Sequence, residues 1–296
     1  MSIPNSLVVS TRCFLQILFC CCCFAGKTNQ KGQILYGRSI RHRDVSVCPF
    51  GGMAFYLGLR FATTSEFEGY ELEDWKNKPE WFPMKLLVDY SNISNDRTIP
   101  MKNDTYAKAI KTVLQELGIK SSHWVHLGRV TGPKKLEMEQ ISPDDIRILG
   151  NWDPKIQEKS YSTKLPMRPM RAMAGYTLAN GMYYNPRSAV KVEMALLCKT
   201  PFKFAFDSCD ILLDYVAANN GEGSTALHFC RFMKNLAVVF VQDAPAMWLL
   251  HEQRRNHPLF KMDLFQSNEW KVNFFVYFLF FCLCVFILSL IKTFYC

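Results

Sequence analysis

The chain has 296 residues, 49% of them apolar and 21% charged, with 35 Lys and Arg against 26 Asp and Glu for a formal charge of +9. That apolar share excludes an intrinsically disordered chain, and the length suffices for one or two domains. The positive excess favours polyanionic partners, but residues 26–170 hold 22 basic and 17 acidic residues, which excludes a wholly basic nucleic-acid coat.

Residues 1–25 contain VVSTRCFLQILFCCCCFAG, with Cys13, Cys20, Cys21, Cys22 and Cys23 in an apolar run. Three readings stand side by side: a signal-like apolar stretch, a set of cysteines that could accept palmitate, or sequence from an imperfect gene model. Cys48, Cys198, Cys209 and Cys230 are widely spaced and lack zinc-ligand pairing with histidines, so the body reads as reduced and intracellular. No pattern implies a metal or another cofactor.

From Gly26 to Asp44 the pattern predicts a β-hairpin, with GKTNQKGQ as its turn and QILYGRSI as its returning strand. The basic cluster Arg41, His42 and Arg43 follows. Its residue types suit contact with a phosphate backbone, which positions a protein on DNA without reading sequence. Pro49 opens PFGGMAFYLGLRFATT, where proline at a helix start and the spacing of Met53, Tyr56, Leu57 and Phe61 predict a buried helix. The acidic stretch from Glu66 to Pro83 reads as an exposed loop.

A helix is expected over about Asn103–Leu117, with Tyr106, Ala109, Ile110, Val113, Leu114 and Leu117 on one face and Gly118 as its stop. SSHWVHLGR begins the next helix, capped by its serines, and Lys134 and Lys135 add charge beyond it. ISPDDIRILGNW predicts a helix capped by Ser142 with Pro143 at its first position. Tyr161 falls on a short helix or turn that Pro166 and Pro169 delimit. Helices follow at Phe206–Ala217 and Ala226–Leu250. The second is broken as a bilayer span by Lys234, Gln242, Asp243 and Pro245.

The tail differs. Val272–Ile291 is twenty residues without a charge, flanked by Lys271 and Lys292. At about 1.5 Å per residue it is long enough to cross a bilayer. Single-pass membrane anchoring through it is therefore one expectation, with the membrane as a partner; translated noncoding sequence is the other.

Four residues between His126 and Tyr161 stand at spacings that suit DNA strand cleavage. Arg129 lies three residues after His126, Trp152 twenty-three further on, and Tyr161 nine beyond that. Breaking a phosphodiester without a metal needs a nucleophile, cations over the phosphate oxygens and a proton donor. Tyr161 can be the nucleophile, and the Arg129 guanidinium matches two phosphate oxygens at once. Trp152 can donate a hydrogen bond, and Lys27 can act as general acid. Asn151, directly after LeuGly, competes with Trp152 for the fourth place.

This set resembles the tyrosine recombinases, in which a hairpin lysine, an HxxR box, a His or Trp and a tyrosine surround the scissile phosphate. GKTNQ, RHRDVSVCPFGGMAFYL, HLGR, LGNWD, SYSTKLP and MRAMAGY narrow the likeness to the fungal Crypton recombinases, a mobile-element family. They are similar too to the central DNA-binding domain of yeast inner-kinetochore centromere-binding subunits. The resemblance covers about Gly26 to Pro258. It implies a mainly α fold with a small β-hairpin or sheet, α+β in class and tyrosine recombinase/integrase-like, truncated at its N-terminus; the apolar tail beyond it adds the expectation of a C-terminal hydrophobic helix.

The division expected is a Cys-rich leader at 1–25, a DNA-binding domain at 26–176, a helical extension at 177–270 and a tail at 271–296. The family's first catalytic arginine has no counterpart here, since Arg12 lies outside its pattern. Losing one such charge-stabilising group costs about 2.7–4 kcal/mol, so poor cleavage is expected. The resemblance thus implies a nuclear, chromatin-bound protein on double-stranded DNA, working as a homodimer or higher oligomer and deficient in strand cleavage. Lys27, Arg129, Arg41, His42, Arg43, Lys134 and Lys135 would supply the DNA contacts. Rival expectations are an active recombinase forming a phosphotyrosine at Tyr161, and a membrane-anchored interaction protein with a relic fold.

Overall fold

Apolar side chains recur at helical spacing through most of the chain, and helices are what form. The computed structural model describes residues 19–23, 35–89, 96–122, 124–150, 152, 166–176, 185–250, 256–272 and 274. Strand β1 (Phe19–Cys23) pairs antiparallel with β2 (Leu35–Ser39), Phe19 opposite Ser39 and Cys23 opposite Leu35. This two-stranded ribbon starts within the cysteine run, earlier than the expected hairpin.

Helix α1 (Pro49–Thr64) opens on proline, which loses no hydrogen bond at a first helical position, and closes at Ser65 in the left-handed region. It buries Phe50, Ala54, Leu57 and Phe61. These meet α10 (Lys203–Ala218) and α11 (Ser224–Leu250), whose buried residues include Phe204, Leu212, Leu236, Val239 and Phe240. Gly58 sets how closely α1 and α11 approach: a Cβ there would lie 2.6 Å from the Phe240 ring. Each fully buried aliphatic or phenyl side chain contributes about 1.5–3 kcal/mol relative to exposure, which is how this core outweighs the chain entropy it costs.

The acidic stretch expected as an exposed loop is instead anchored in this core. It folds into α2 (Leu72–Lys76) and α3 (Lys78–Trp81), and Phe67, Trp75 and Trp81 are buried against Phe204 and Phe229. Trp75 Nε1 donates to Ser208 Oγ at 2.9 Å and Trp81 Nε1 to the Trp75 carbonyl at 3.0 Å, so both indoles are buried without an unmade bond. Glu66, buried despite its charge, takes a two-pronged hydrogen bond from buried Arg60 at 2.7 and 2.8 Å. The aromatic spacing outweighed the acidic composition.

Helix α4 (Asn103–Glu116) ends where Gly118 takes a φ of 70°, but none of its residues is buried. A 3-10 turn at Trp124–His126 leads into α5 (Leu127–Met138), whose N-cap is His126 with no side-chain cap bond; the serines do not cap it. In α6 (Pro143–Gly150) Ser142 does cap, its Oγ accepting from the Asp145 amide at 3.2 Å. Pro166 and Pro169 stand at the start of a helix, α7 (Met167–Met173), where proline is tolerated in a first turn, and the turn expected around Tyr161 lies outside the described residues. Helices α5, α6 and α7 share a small core of Leu136, Ile141, Ile146 and Ala172, and α7 closes over Ile40 through Met170 and Ala174. Short helices α8 (Pro186–Ala189), α9 (Met194–Leu197) and α12 (Asp263–Gln266) complete the described chain.

The expected α+β, integrase-like class with a hydrophobic C-terminal helix is therefore corrected to a mainly helical one. Among the described residues the cores are filled mainly from helices, and two short strands are all that pair in register. Among the described residues no helix is long and apolar enough to cross a membrane. The expected span Val272–Ile291 lies outside them apart from Val272 and Phe274.

Candidate nucleic-acid interface

After β2 the chain carries its cluster of three basic residues in different directions. Ile40 and Arg41 turn inward, Arg41 being fully buried, while Arg43 is exposed and His42 half-buried. A guanidinium out of water must be matched, and α11 supplies Gln242 and Asp243. Arg41 donates one nitrogen to Gln242 Oε1 and another to Asp243 Oδ1. Arg41 is thus removed from the expected phosphate contacts, leaving Arg43 and His42.

Arg187, on α8, completes the arrangement. Its Nε donates to Asp243 Oδ1 at 2.7 Å, Nη1 to the Arg43 carbonyl at 2.5 Å and Nη2 to the His42 carbonyl at 2.8 Å. Burial works against the Arg187 charge, but the Asp243 carboxylate outweighs it and raises the guanidinium pKa further. Tyr176 donates its hydroxyl to the Arg41 carbonyl at 3.3 Å, and the Arg43 amide donates to the Ala174 carbonyl at 2.9 Å. Asp243 reaches this position because Gly51, in the first turn of α1, has no side chain: a Cβ there would lie 2.7 Å from Asp243 Oδ2. A helix N-terminus also favours the negative charge placed against it.

Across from this segment stands α5. Its Lys135 is close enough to His42 to oppose imidazole protonation; together with burial, the larger cause, this holds the His42 pKa below 6.5. Lys134, Lys135 and Arg129 are exposed, and Arg129 lies about 9 Å from Lys135 along the axis. At the N-terminal end of α5, exposed His126 shares a hollow of about 340 Å³ with Lys108 and Lys111 of α4 and with Trp124. Residues 102–135 carry seven lysines and arginines against two carboxylates. Among the described residues Arg43, Arg129, Lys134 and Lys135 make no salt bridge, whereas Arg41, Arg60, Arg147 and Arg187 do.

The residues expected to surround a scissile phosphate are placed only in part. Lys27 and Tyr161 lie outside the described residues. Trp152 is 40% exposed and folds back over the end of α6, its amide donating to the Arg147 carbonyl at 3.1 Å and its ring 2.6 Å from where a Cβ on Gly150 would stand. No hydrogen bond joins His126, Arg129 and Trp152 among the described residues. The structure instead groups His126 with Lys108 and Lys111, and His42 with Lys135.

Sequence reasoning misses the residues that build this face from beneath: Arg187, Asp243, Gln242, Asn185 and Tyr176. One signal is present. Gln242 and Asp243 interrupt an apolar helix, and polar side chains in such a run require a buried partner. Nothing local identifies that partner as an arginine two hundred residues upstream. Lys108 and Lys111 carry no motif and stand out only through the hollow they share with His126.

These features define a helical protein with an uncompensated cationic face assembled from α4, α5 and the turn at 41–44. The family model described as centromere DNA-binding protein complex CBF3 subunit, domain 2, matches residues 8–271, and the chain belongs to this family. No curated protein and no solved structure matches it.

Proposed function

We propose that this chain binds double-stranded centromeric DNA in the nucleus, as a non-cleaving subunit domain. Arg43, Lys135, Lys134, Arg129 and, from α4, Lys108 and Lys111 neutralise backbone phosphates, and the His42 imidazole, held neutral, contributes a hydrogen-bond donor beside them. The observation that carries this reading is the group of exposed cations on α4, α5 and the turn at 41–44, none of which makes a salt bridge among the described residues, where residues 102–135 hold seven lysines and arginines against two carboxylates. Unpaired surface cations repel one another and contribute nothing to folding, but each releases a counterion on meeting a phosphate. Family membership supports the choice of DNA as the polyanion.

Binding of this kind falls steeply with salt, with a log–log slope of about −0.9 for each phosphate neutralised. Fluorescence-polarisation titration against a labelled duplex at several salt concentrations checks it. The expected result is binding at low salt and a slope of about −4 to −6, flattened by about 0.9 for Lys135→Gln or Arg129→Gln. Binding indifferent to salt, or none, refutes the proposal. A nicked duplex that traps covalent tyrosine adducts should yield none; an adduct lost in Tyr161→Phe would establish cleavage instead.

A further inference from the structure

We propose that Arg187, held by Asp243, is a positioning residue that fixes the backbone of His42 and Arg43 so that Arg43 points outward beside Lys135. The inference rests on the DNA-binding reading above and names a part of that site which touches no DNA.

The geometry behind it is a fork with three tines. Arg187 is 5% exposed and Asp243 fully buried, so neither can reach a phosphate. Two of the five Arg187 N–H donors go to consecutive carbonyls, His42 and Arg43, at 2.8 and 2.5 Å, and a third goes to Asp243 at 2.7 Å. Asn185 Nδ2 also reaches the His42 carbonyl at 3.5 Å while its Oδ1 accepts from the Arg187 amide at 3.1 Å. With the carbonyls of residues 42 and 43 drawn inward and the Arg43 amide bonded to Ala174, the Arg43 side chain has solvent as its remaining direction. His42 is held from both sides: the Asp44 amide donates to its Nδ1 at 2.9 Å, and a Cβ on Gly175 would lie 3.2 Å from its Cε1. A lysine at 187 could keep the charge facing Asp243, yet its single ammonium cannot bond two successive carbonyls and a carboxylate in the fixed planar spread of a guanidinium.

The Arg187→Lys protein separates positioning from bulk stability. It should keep the parent's helical circular dichroism and lose low-salt affinity for a 30-base-pair duplex, with the salt slope reduced by about 0.9. In that background Arg43→Gln should cost nothing further, because the two changes act through one contact. An independent readout needs no DNA. The C2 proton of His42, followed by NMR against pH, should report a pKa that rises towards 6.5 once the turn is released. The positive charge at 187 is retained, so its repulsion of the imidazolium does not account for the rise.

A folded Arg187→Lys protein in which His42 titrates as in the parent, and Arg43→Gln costs as much as before, overturns the proposal. Should that variant not fold, Asn185→Ala, which removes the acceptor that seats the Arg187 amide and the second donor to the His42 carbonyl, takes its place: a raised His42 pKa with a silent Arg43→Gln supports the proposal, and parent-like values of both overturn it. A parent that binds no duplex removes the proposed function, and the His42 titration then decides the positioning role by itself.

Discussion

Arg60 shows what a charged residue costs and contributes when this fold buries it. The side chains of Arg60 and Glu66 are each 3% exposed, and Arg60 also donates to the carbonyls of Lys85 and Leu86 at 2.7 and 2.9 Å. It therefore ties the end of α1 to the segment leaving α3. Removing one member of such a pair strands the other without water, so Glu66→Ala is expected to lower unfolding free energy by about 3–5 kcal/mol, read from urea denaturation. His42 acts on stability through pH. Its folded-state pKa lies below 6.5, with burial the main cause and Lys135 and Arg187 adding to it against Asp44. The unfolded chain therefore binds the more protons as pH falls through 6.5, and stability is lost from there downward, levelling off below the folded pKa. Urea midpoints at pH 7.5 and 5.5 should differ less in His42→Gln than in the parent.

At the scale of elements, α4 and α11 are opposites. α11 runs 27 residues through the main core, with Leu236, Ala237, Phe240, Val241 and Asp243 among its fully buried side chains. α4 carries a sound amphipathic pattern, yet Tyr106, Val113 and Leu117 along its apolar face remain exposed, and its neighbour is the 3-10 turn at Trp124–His126. A helix of 14 residues is marginal without packing. Amides of α4 are expected to exchange hydrogen well before those of α10 and α11 in native-state exchange, through local opening rather than global unfolding. α5 carries its own weak point, since Pro133 within it cannot donate to the Arg129 carbonyl. Both elements that hold the unpaired cations are thus less secured than the core beneath them.

Over the whole molecule, the main core is assembled from two distant stretches, residues 48–81 and 196–270. Neither can bury its apolar face alone. A fragment ending at residue 195 lacks α10 and α11 and is expected to show no cooperative urea transition and to bind a hydrophobic dye, whereas the intact chain unfolds with one. The buried Arg41–Asp243 and Arg187–Asp243 pairs extend the same dependence to the cationic face, because α11 holds the turn at 41–44.

Much of the helical outline was legible in residues alone: Pro49 opening α1, Ser142 capping α6, Gly118 stopping α4, and the two long helices after residue 200. Each depends on neighbours within a turn or two, so local spacing suffices to set it. The same local pattern assigned Tyr106, Val113 and Leu117 to one helix face but could not say whether anything covers that face. Acidic composition hid the burial of Trp75 and Trp81, which is set by Phe204 and Phe229 far along the chain. The tertiary structure alone decided that Arg41 faces inward while Arg43 faces out, although the two stand two residues apart in a uniformly basic cluster. The reason is electrostatic: a buried guanidinium needs a buried carboxylate, and the one that takes it, Asp243, is brought there only when α11 packs on α1 at Gly51 and Gly58.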